Sequence, residues 1–376
     1  MGRTFCICSV ALILLGGCAS GLPGLSEADG GSQNPNKDWS DTDRTIRGGD
    51  GYHAVWVIKY GPKDNSLWSR RMLATVNWYN EPSATRVERY RTLLPQLELR
   101  DGDSVRHLAV AVDMRYFDQL RFSPDGRQFV FPAADGICVF DVGDGTLQKI
   151  LRSNEKTGYA ISESSSSAAM LVKEDVDSEI DIFDIQSGQR LKQLTLKSER
   201  VSRMMFVAGD RQLAIVTSGR GSKKELLKLW NLESDSLSPS VEVPAWYWSS
   251  EISYDGTLYT AANDDNSMWL WSTKDGNVVA TTSSHSGTVR CTAFSPDGQL
   301  LASGAEGEKR DEAVGEIKIW DATTGKEIAT IIDDTSWGVT ALAFSPDGTE
   351  LASGNGDGHI RFWKVPDHYV PSVVAK

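Results

Sequence analysis

The residues able to do chemistry are few, and their spacing does not suit it. Gly219-Arg220-Gly221-Ser222-Lys223-Lys224 is glycine-rich and basic, the composition of a phosphate cradle. It lacks the P-loop spacing, and no helical stretch follows to aim backbone amides at phosphate, so it reads as a solvated hairpin. The five histidines, at 53, 107, 285, 359 and 368, nowhere stand at metal-ligand spacing. Asp175, Asp177, Glu179 and Asp181 alternate as in a calcium loop. The glycine that bends such a loop is absent, and the run enters a strand expected over 180–185. No Gly-x-Ser-x-Gly elbow occurs, and sequence alone pairs no Ser or Cys with a His. Of five cysteines, Cys6, Cys8 and Cys18 crowd the N-terminus, whereas Cys138 and Cys291 fall in separate expected strands. That is neither a disulfide framework nor a metal site. No cofactor, metal or catalytic residue is expected, and the chain reads as a protein that is not an enzyme.

The 376 residues carry a net charge of −12 and are 40% hydrophobic. A nucleic-acid-binding chain would show a basic stripe, which is missing here. Residues 1–17 read as an address. Arg3 supplies positive charge, and Phe5 to Leu15 is an apolar run too short to span a bilayer. Its end, Leu15-Gly16-Gly17-Cys18, resembles the lipobox of bacterial lipoproteins. The resemblance implies cleavage before Cys18 and lipidation of its thiol, each buried CH₂ contributing about 0.8 kcal/mol. Ala19 in the next position implies an outer-membrane lipoprotein facing the periplasm. Residues 18–51 are rich in Gly, Ser, Asn and Asp and poor in apolar side chains, and read as a disordered tether.

Residues 52–376 repeat themselves. Phe-Ser-Pro-Asp-Gly recurs at 122–126, 294–298 and 344–348, with weaker relatives at 253–256 and 206–210. Pro presets φ and Gly accepts positive φ, which makes a tight turn between two strands. Leu-Ala-Ser-Gly follows at 301–304 and 351–354, and a third strand then closes on an aromatic. The closing aromatics are Phe140, Phe183, Trp230, Trp271, Trp320 and Trp363, spaced 43, 47, 41, 49 and 43 residues apart. Alternation is of period two, without helical periodicity. Four short strands per 40–50 residues is the signature of a propeller blade. These turns, strands and closings resemble WD40 repeats, specifically over 250–365 and in degraded form over 116–232. The resemblance implies a His, Ser/Thr, Asp and Trp bonded within each blade. One blade offers His285, Ser303 and Trp320 without the Asp. The next offers Ser353, Asp357 and Trp363, with Thr335 in the place of the His.

The expected fold is therefore an all-β propeller of four-stranded antiparallel sheets, with seven blades or, in the alternative, six. Strand-like stretches at 54–60, 72–78, 85–93 and 106–112 are enough for one divergent blade plus one extra strand, and Ala54–Tyr60 is expected to supply the outer strand of the last blade. The WD40 resemblance implies that loops on one face bind a partner. On those loops stand Trp246, Tyr247 and Trp337, the basic Arg220, Lys223 and Lys224, and a charged insertion over 304–315 with Glu308, Lys309 and Arg310. Trp, Tyr and Arg are enriched in binding hot spots. The resulting expectation is a monomeric, lipid-anchored scaffold of the cell envelope that binds protein and no nucleic acid. An envelope or outer-membrane assembly factor is the alternative, by architectural resemblance to propeller components of the barrel-assembly and Tol systems. A propeller enzyme with carboxylates at the channel mouth is the third reading. The sialidase box is not matched at Ser253-Tyr254-Asp255-Gly256.

Overall fold

The computed structural model describes residues 40–46, 55–60, 72–78, 95–101 and 104–108 as strands, and most of 120–369. Within the latter, 124, 134–135, 144–145, 153–157, 163, 220–223, 244–248, 264, 310–311, 334–337 and 357 lie outside the description. Among the described residues there is no helix long and apolar enough to cross a membrane. The proposed signal peptide and Cys18 lie outside the described residues.

Among the described residues every regular element is a strand. The first, β1, spans Ser40–Ile46. A four-stranded antiparallel sheet follows from β2 (Val55–Tyr60), β3 (Met72–Trp78), β4 (Pro95–Asp101) and β5 (Ser104–Leu108). Next come β6 (Arg121–Phe122), β7 (Gln128–Ala133), β8 (Gly136–Asp141) and β9 (Leu147–Arg152), then β10 (Tyr159–Ile161), β11 (Ser167–Glu174), β12 (Ser178–Asp184) and β13 (Arg190–Leu196). The following sheet has five strands: β14 (Glu199–Val207), β15 (Gln212–Gly219), β16 (Glu225–Asn231), β17 (Ser236–Leu237) and β18 (Val241–Val243). After it come β19 (Ser250–Ile252), β20 (Leu258–Ala262), β21 (Met268–Ser272) and β22 (Val278–Thr281). Then β23 (Val289–Phe294), β24 (Leu300–Lys309), β25 (Glu312–Asp321) and β26 (Glu327–Asp333) form a sheet. Finally β27 (Val339–Phe344), β28 (Glu350–Asn355) and β29 (Ile360–Lys364) pair in turn, and β1 adds outside β29.

The sheets closing on the six aromatics are the six blades of an all-β propeller, the alternative count. The sheet β2–β5 has a blade's strand order, and its first two strands fall where the sequence placed them. Its third is at 95–101, not 85–93. The strand completing the last blade is also corrected. It is Ser40–Ile46, paired antiparallel with β29 from Ser40 opposite Lys364 to Ile46 opposite Ile360, and not Ala54–Tyr60. The tether boundary at 51 therefore falls too late. An outer strand is held through backbone groups, so Ser-Asp-Thr-Asp-Arg-Thr-Ile serves without an apolar pattern.

The recurrent turn explains why the repeats fold alike. Ser123, Ser253, Ser295 and Ser345 each donate a hydroxyl bond of 2.6 Å to the Asp two residues on. The same hydroxyls accept the backbone N–H five residues on, at 2.9–3.0 Å. Gly126, Gly256, Gly298 and Gly348 take the left-handed position, φ 66–76°. A fifth copy, unreadable as sequence, uses Ser162 for the serine and Ser165, φ 52°, for the glycine. The Ser123 hydroxyl and the Arg127 amide hold the Asp125 carboxyl below the usual carboxylate range.

The core lies between blades. Trp363 packs with Ile317 and Ile319 of the blade before it, Trp320 with Met268 and Leu270, Trp271 with Val216 and Leu227, and Trp230 with Ile182 and Ala169. Each closing tryptophan thus packs on the blade before it, and full burial of a large apolar side chain contributes about 1.5–3 kcal/mol. Phe140 stacks on Phe131 with centroids 5.4 Å apart, and Phe183 packs against Val130 and Ile137.

Candidate functional site

Within the β23–β26 blade a serine, a histidine and a carboxylate stand in line. Ser303 Oγ lies 2.6 Å from His285 Nε2, and His285 Nδ1 lies 2.6 Å from Glu316 Oε2. A carboxylate only accepts, so His285 Nδ1 donates to Glu316, while Nε2 and the Ser303 hydroxyl share a hydrogen bond. That is the connectivity of a hydrolase triad. The surroundings give it another role. Ser303 and Trp320 are fully buried, and the Trp320 indole N–H donates to the same Ser303 oxygen at 2.8 Å. The oxygen is thus held between His285 and Trp320 in a buried position. The chain is a structural brace joining the loop before β23 to β24 and β25.

Glu316 also accepts the Ser286 amide at 3.0 Å. Burial pushes its carboxyl up. The bond and charge of His285, the Ser286 amide and the Lys318 charge outweigh this and hold it below the usual range. Glu316 therefore fills the place of the Asp that the sequence lacked. It comes from strand β25 instead of the loop before it, which is why motif matching overlooked it.

Other blades solve the same problem with other residues. In the last blade the Trp363 indole donates to Ser353 at 2.9 Å. Asp333, fully buried, accepts from Asn355 at 2.8 Å and pairs with Arg361 at 3.0 Å. Thr335 and Asp357 lie outside the described residues. In the β14–β18 blade Glu199 accepts from Thr217 at 2.8 Å and pairs with Lys228. There the Trp230 indole turns to Asp235, 2.9 Å away. Among the described residues no cluster of His, Cys, Asp and Glu could hold a metal.

Strand direction sorts the connections into two faces. Tight turns from first to second and third to fourth strand lie at one end of each blade, hereafter the turn face. Connections from second to third strand, and from blade to blade, lie at the other, the loop face. The insertion over 304–315 is on the loop face, and it is a ladder rather than an irregular loop. β24 and β25 pair residue for residue from Leu300–Asp321 out to Lys309–Glu312. Its root is wedged between neighbours. A Cβ on Gly287 would overlap the Glu306 carbonyl oxygen, and one on Gly338 would lie 2.6 Å from Glu306 Cγ. A Cβ on Gly304 would lie 2.6 Å from Val339 Cγ1, and one on Gly315 2.9 Å from Val339 Cγ2. Glu306 is further held by Arg290, at 3.2 Å.

The partner-contacting residues expected from sequence can be placed only in part. Glu308 and Lys309 belong to β24, in its outer ladder; their side chains are not described. Lys224, exposed, begins the approach to β16 and pairs with Glu242 at 2.9 Å. Arg220, Lys223, Trp246, Tyr247, Arg310 and Trp337 lie outside the described residues.

With that geometry in view, the likeness to known proteins is specific. The family model for the WD domain, G-beta repeat, matches residues 276–310 and 325–364, from β22 to β24 and from β26 to β29. The matched residues are similar to WD40 repeats, and the fold is a β-propeller. Among similar proteins are the serine-threonine kinase receptor-associated protein of Gallus gallus, the angio-associated migratory cell protein of Homo sapiens and FIZZY-RELATED 3 of Arabidopsis thaliana. The first is 22% identical over 222 residues, 59% of this chain and 57% of that protein. The second is 28% identical over 112 residues, 30% and 23% of the two chains. The third is 24% identical over 163 residues, 42% and 32%. The chain thus spans about half the length of the first relative and a third or less of the others. WD40 repeats of this kind suggest a scaffold for protein interaction.

Proposed function

We propose that this chain is a non-catalytic platform for protein partners, held on an extracytoplasmic membrane surface by lipid on Cys18. The observation carrying the platform reading is the Glu306–Lys309/Glu312–Gly315 ribbon, clamped by glycines at its root and standing on the loop face. A rigid element loses little conformational freedom when a partner docks, which favours affinity. In this reading Trp246, Tyr247 and Trp337 supply aromatic anchors, and the basic and acidic residues of the loop face set orientation.

The anchoring part rests on Leu15-Gly16-Gly17-Cys18 at the end of an apolar run. Expression with an alkyne fatty acid should label the wild-type chain and leave Cys18→Ser unlabelled and soluble; equal labelling refutes the anchor. For the platform, in-cell crosslinking from the loop face should yield a defined partner. Joint Trp246→Ala and Trp337→Ala substitution, with the ribbon cut back to a two-residue turn after Ala305, should abolish its capture. Undiminished capture by a folded variant refutes the assignment of that face.

A further inference from the structure

The outer strand of a blade pairs with the third strand and also carries side chains into the core between blades. Leu151 of β9, Leu196 of β13, Val241 and Val243 of β18, Ala280 of β22, and Ala329 and Ile331 of β26 are all buried. The strand β1 is made differently. Its sequence, Ser-Asp-Thr-Asp-Arg-Thr-Ile, holds one aliphatic residue, Ile46. Its register is also broken. Asp41 stands opposite Trp363 and Thr45 opposite Arg361, which sets Thr42, Asp43 and Arg44 against Phe362. The preceding blade shows a regular fit at the same place, with Ile331 opposite Ile317 and Ala329 opposite Ile319. Counted back from the closing tryptophan, the equivalent residues of β29 are Ile360 and Phe362. Both are buried in a small cluster with Ala341, Ala343 and Ala352.

We propose that the outer edge of β29 is a strand-exchange site, where an extended segment of a protein partner displaces β1. The segment that fits lies antiparallel to β29 and carries aliphatic side chains opposite Ile360 and Phe362. A strand added to a sheet edge draws affinity from main-chain hydrogen bonds and specificity from alternate side chains. The strand β1 supplies the first, and through Ile46 alone a part of the second. A partner strand without the bulge keeps the main-chain bonds. It also extends the alanine-walled cluster, and removing that apolar surface from water is favourable. Opening the edge requires only that β1 leave, because Trp363 keeps its packing on Ile317 and Ile319. The other five outer strands are the pattern for the occupant, since each holds at least two aliphatic residues over its length. This site is independent of the loop face and of the lipid anchor.

The test uses the full chain and two fluorescent synthetic peptides, each flanked by lysines for solubility. One is the β26 sequence Glu327–Asp333, which has the required pattern, and the other is the β1 sequence Ser40–Ile46. Binding is read by fluorescence anisotropy and displacement by amide hydrogen exchange. The β26 peptide should bind saturably, at least about fivefold more tightly than the β1 peptide. It should speed exchange at Ser40–Ile46 at least about tenfold while β24 and β25 keep their protection. Ile46→Asp removes the one aliphatic residue of β1 and should tighten binding of the β26 peptide at least about threefold. Protection of β24 and β25 shows whether that variant is folded, and the wild-type measurements decide without it if it is not. No saturable binding, or binding that leaves Ser40–Ile46 protected, overturns the site, as does unchanged affinity in a folded Ile46→Asp protein. Equal binding of the two peptides overturns the aliphatic partner in favour of exchange between copies of this chain.

Discussion

Replacing Ser303 by alanine removes the hydroxyl shared by His285 and Trp320 and leaves two buried ring nitrogens without it. The expected cost is about 2–4 kcal/mol, read as a lower urea midpoint at unchanged slope. Ser303→Thr keeps the hydroxyl and should recover much of that loss. Glu316 makes the same brace sensitive to acid. Its carboxyl is held below the unfolded value, so its contribution is full above about pH 4.5 and is lost as pH falls through the folded value. Thermal melts of the wild type should therefore fall more steeply below pH 4.5 than those of Glu316→Gln. Ser303, His285 and Trp320 were legible because their types and order follow the WD40 pattern. Glu316 was not, since it sits at a strand position where an outward-facing charge is the ordinary expectation. Only the pairing of β25 with its neighbours turns it inward.

The ribbon of β24 and β25 depends on glycines that have room for a neighbour and none for a methyl. Gly287→Val and Gly338→Val should lever Glu306 away from its seat, costing about 2–4 kcal/mol and opening residues 306–313 to limited proteolysis. Gly209→Ala is the control. It has φ 61° with nothing within 4 Å of the added carbon, so only the strain of a left-handed alanine, about 1–2 kcal/mol, is expected. The sequence suggested a charged loop here because residues 306–312 are almost all charged and carry no apolar alternation to read. The turns were the opposite case. Ser-Pro-Asp-Gly announces itself because side chain and backbone solve one local problem at one site. Ser162–Ser166 makes the same turn with neither Pro nor Gly, and so escaped notice.

For the molecule as a whole, stability is stored between blades, and the outermost strand of the last blade comes from the other end of the chain. Removing residues 1–47 should leave β29 with an open edge while every closing aromatic stays in place. The expected result is a folded propeller that associates through that edge, visible as dimers or larger species in light scattering. A strictly monomeric truncated protein of unchanged melting temperature contradicts this. The repeat period and its aromatic closings made six blades readable at the scale of the fold. β1 was hidden because backbone pairing makes no demand on composition.

The same strand imposes a delay during synthesis. Ile46 leaves the ribosome 314 residues before Ile360, its partner across the ladder. At about 5–20 residues per second that is an interval of roughly 15–60 s. For that time the sequence Ser40–Ile46 has no complement, and no later blade can borrow it without trapping the ring open. Its polar composition, which made it unreadable as a strand, also makes it a poor nucleus for premature pairing. The last bonds of the fold are thus formed by the first residues of the propeller to be made.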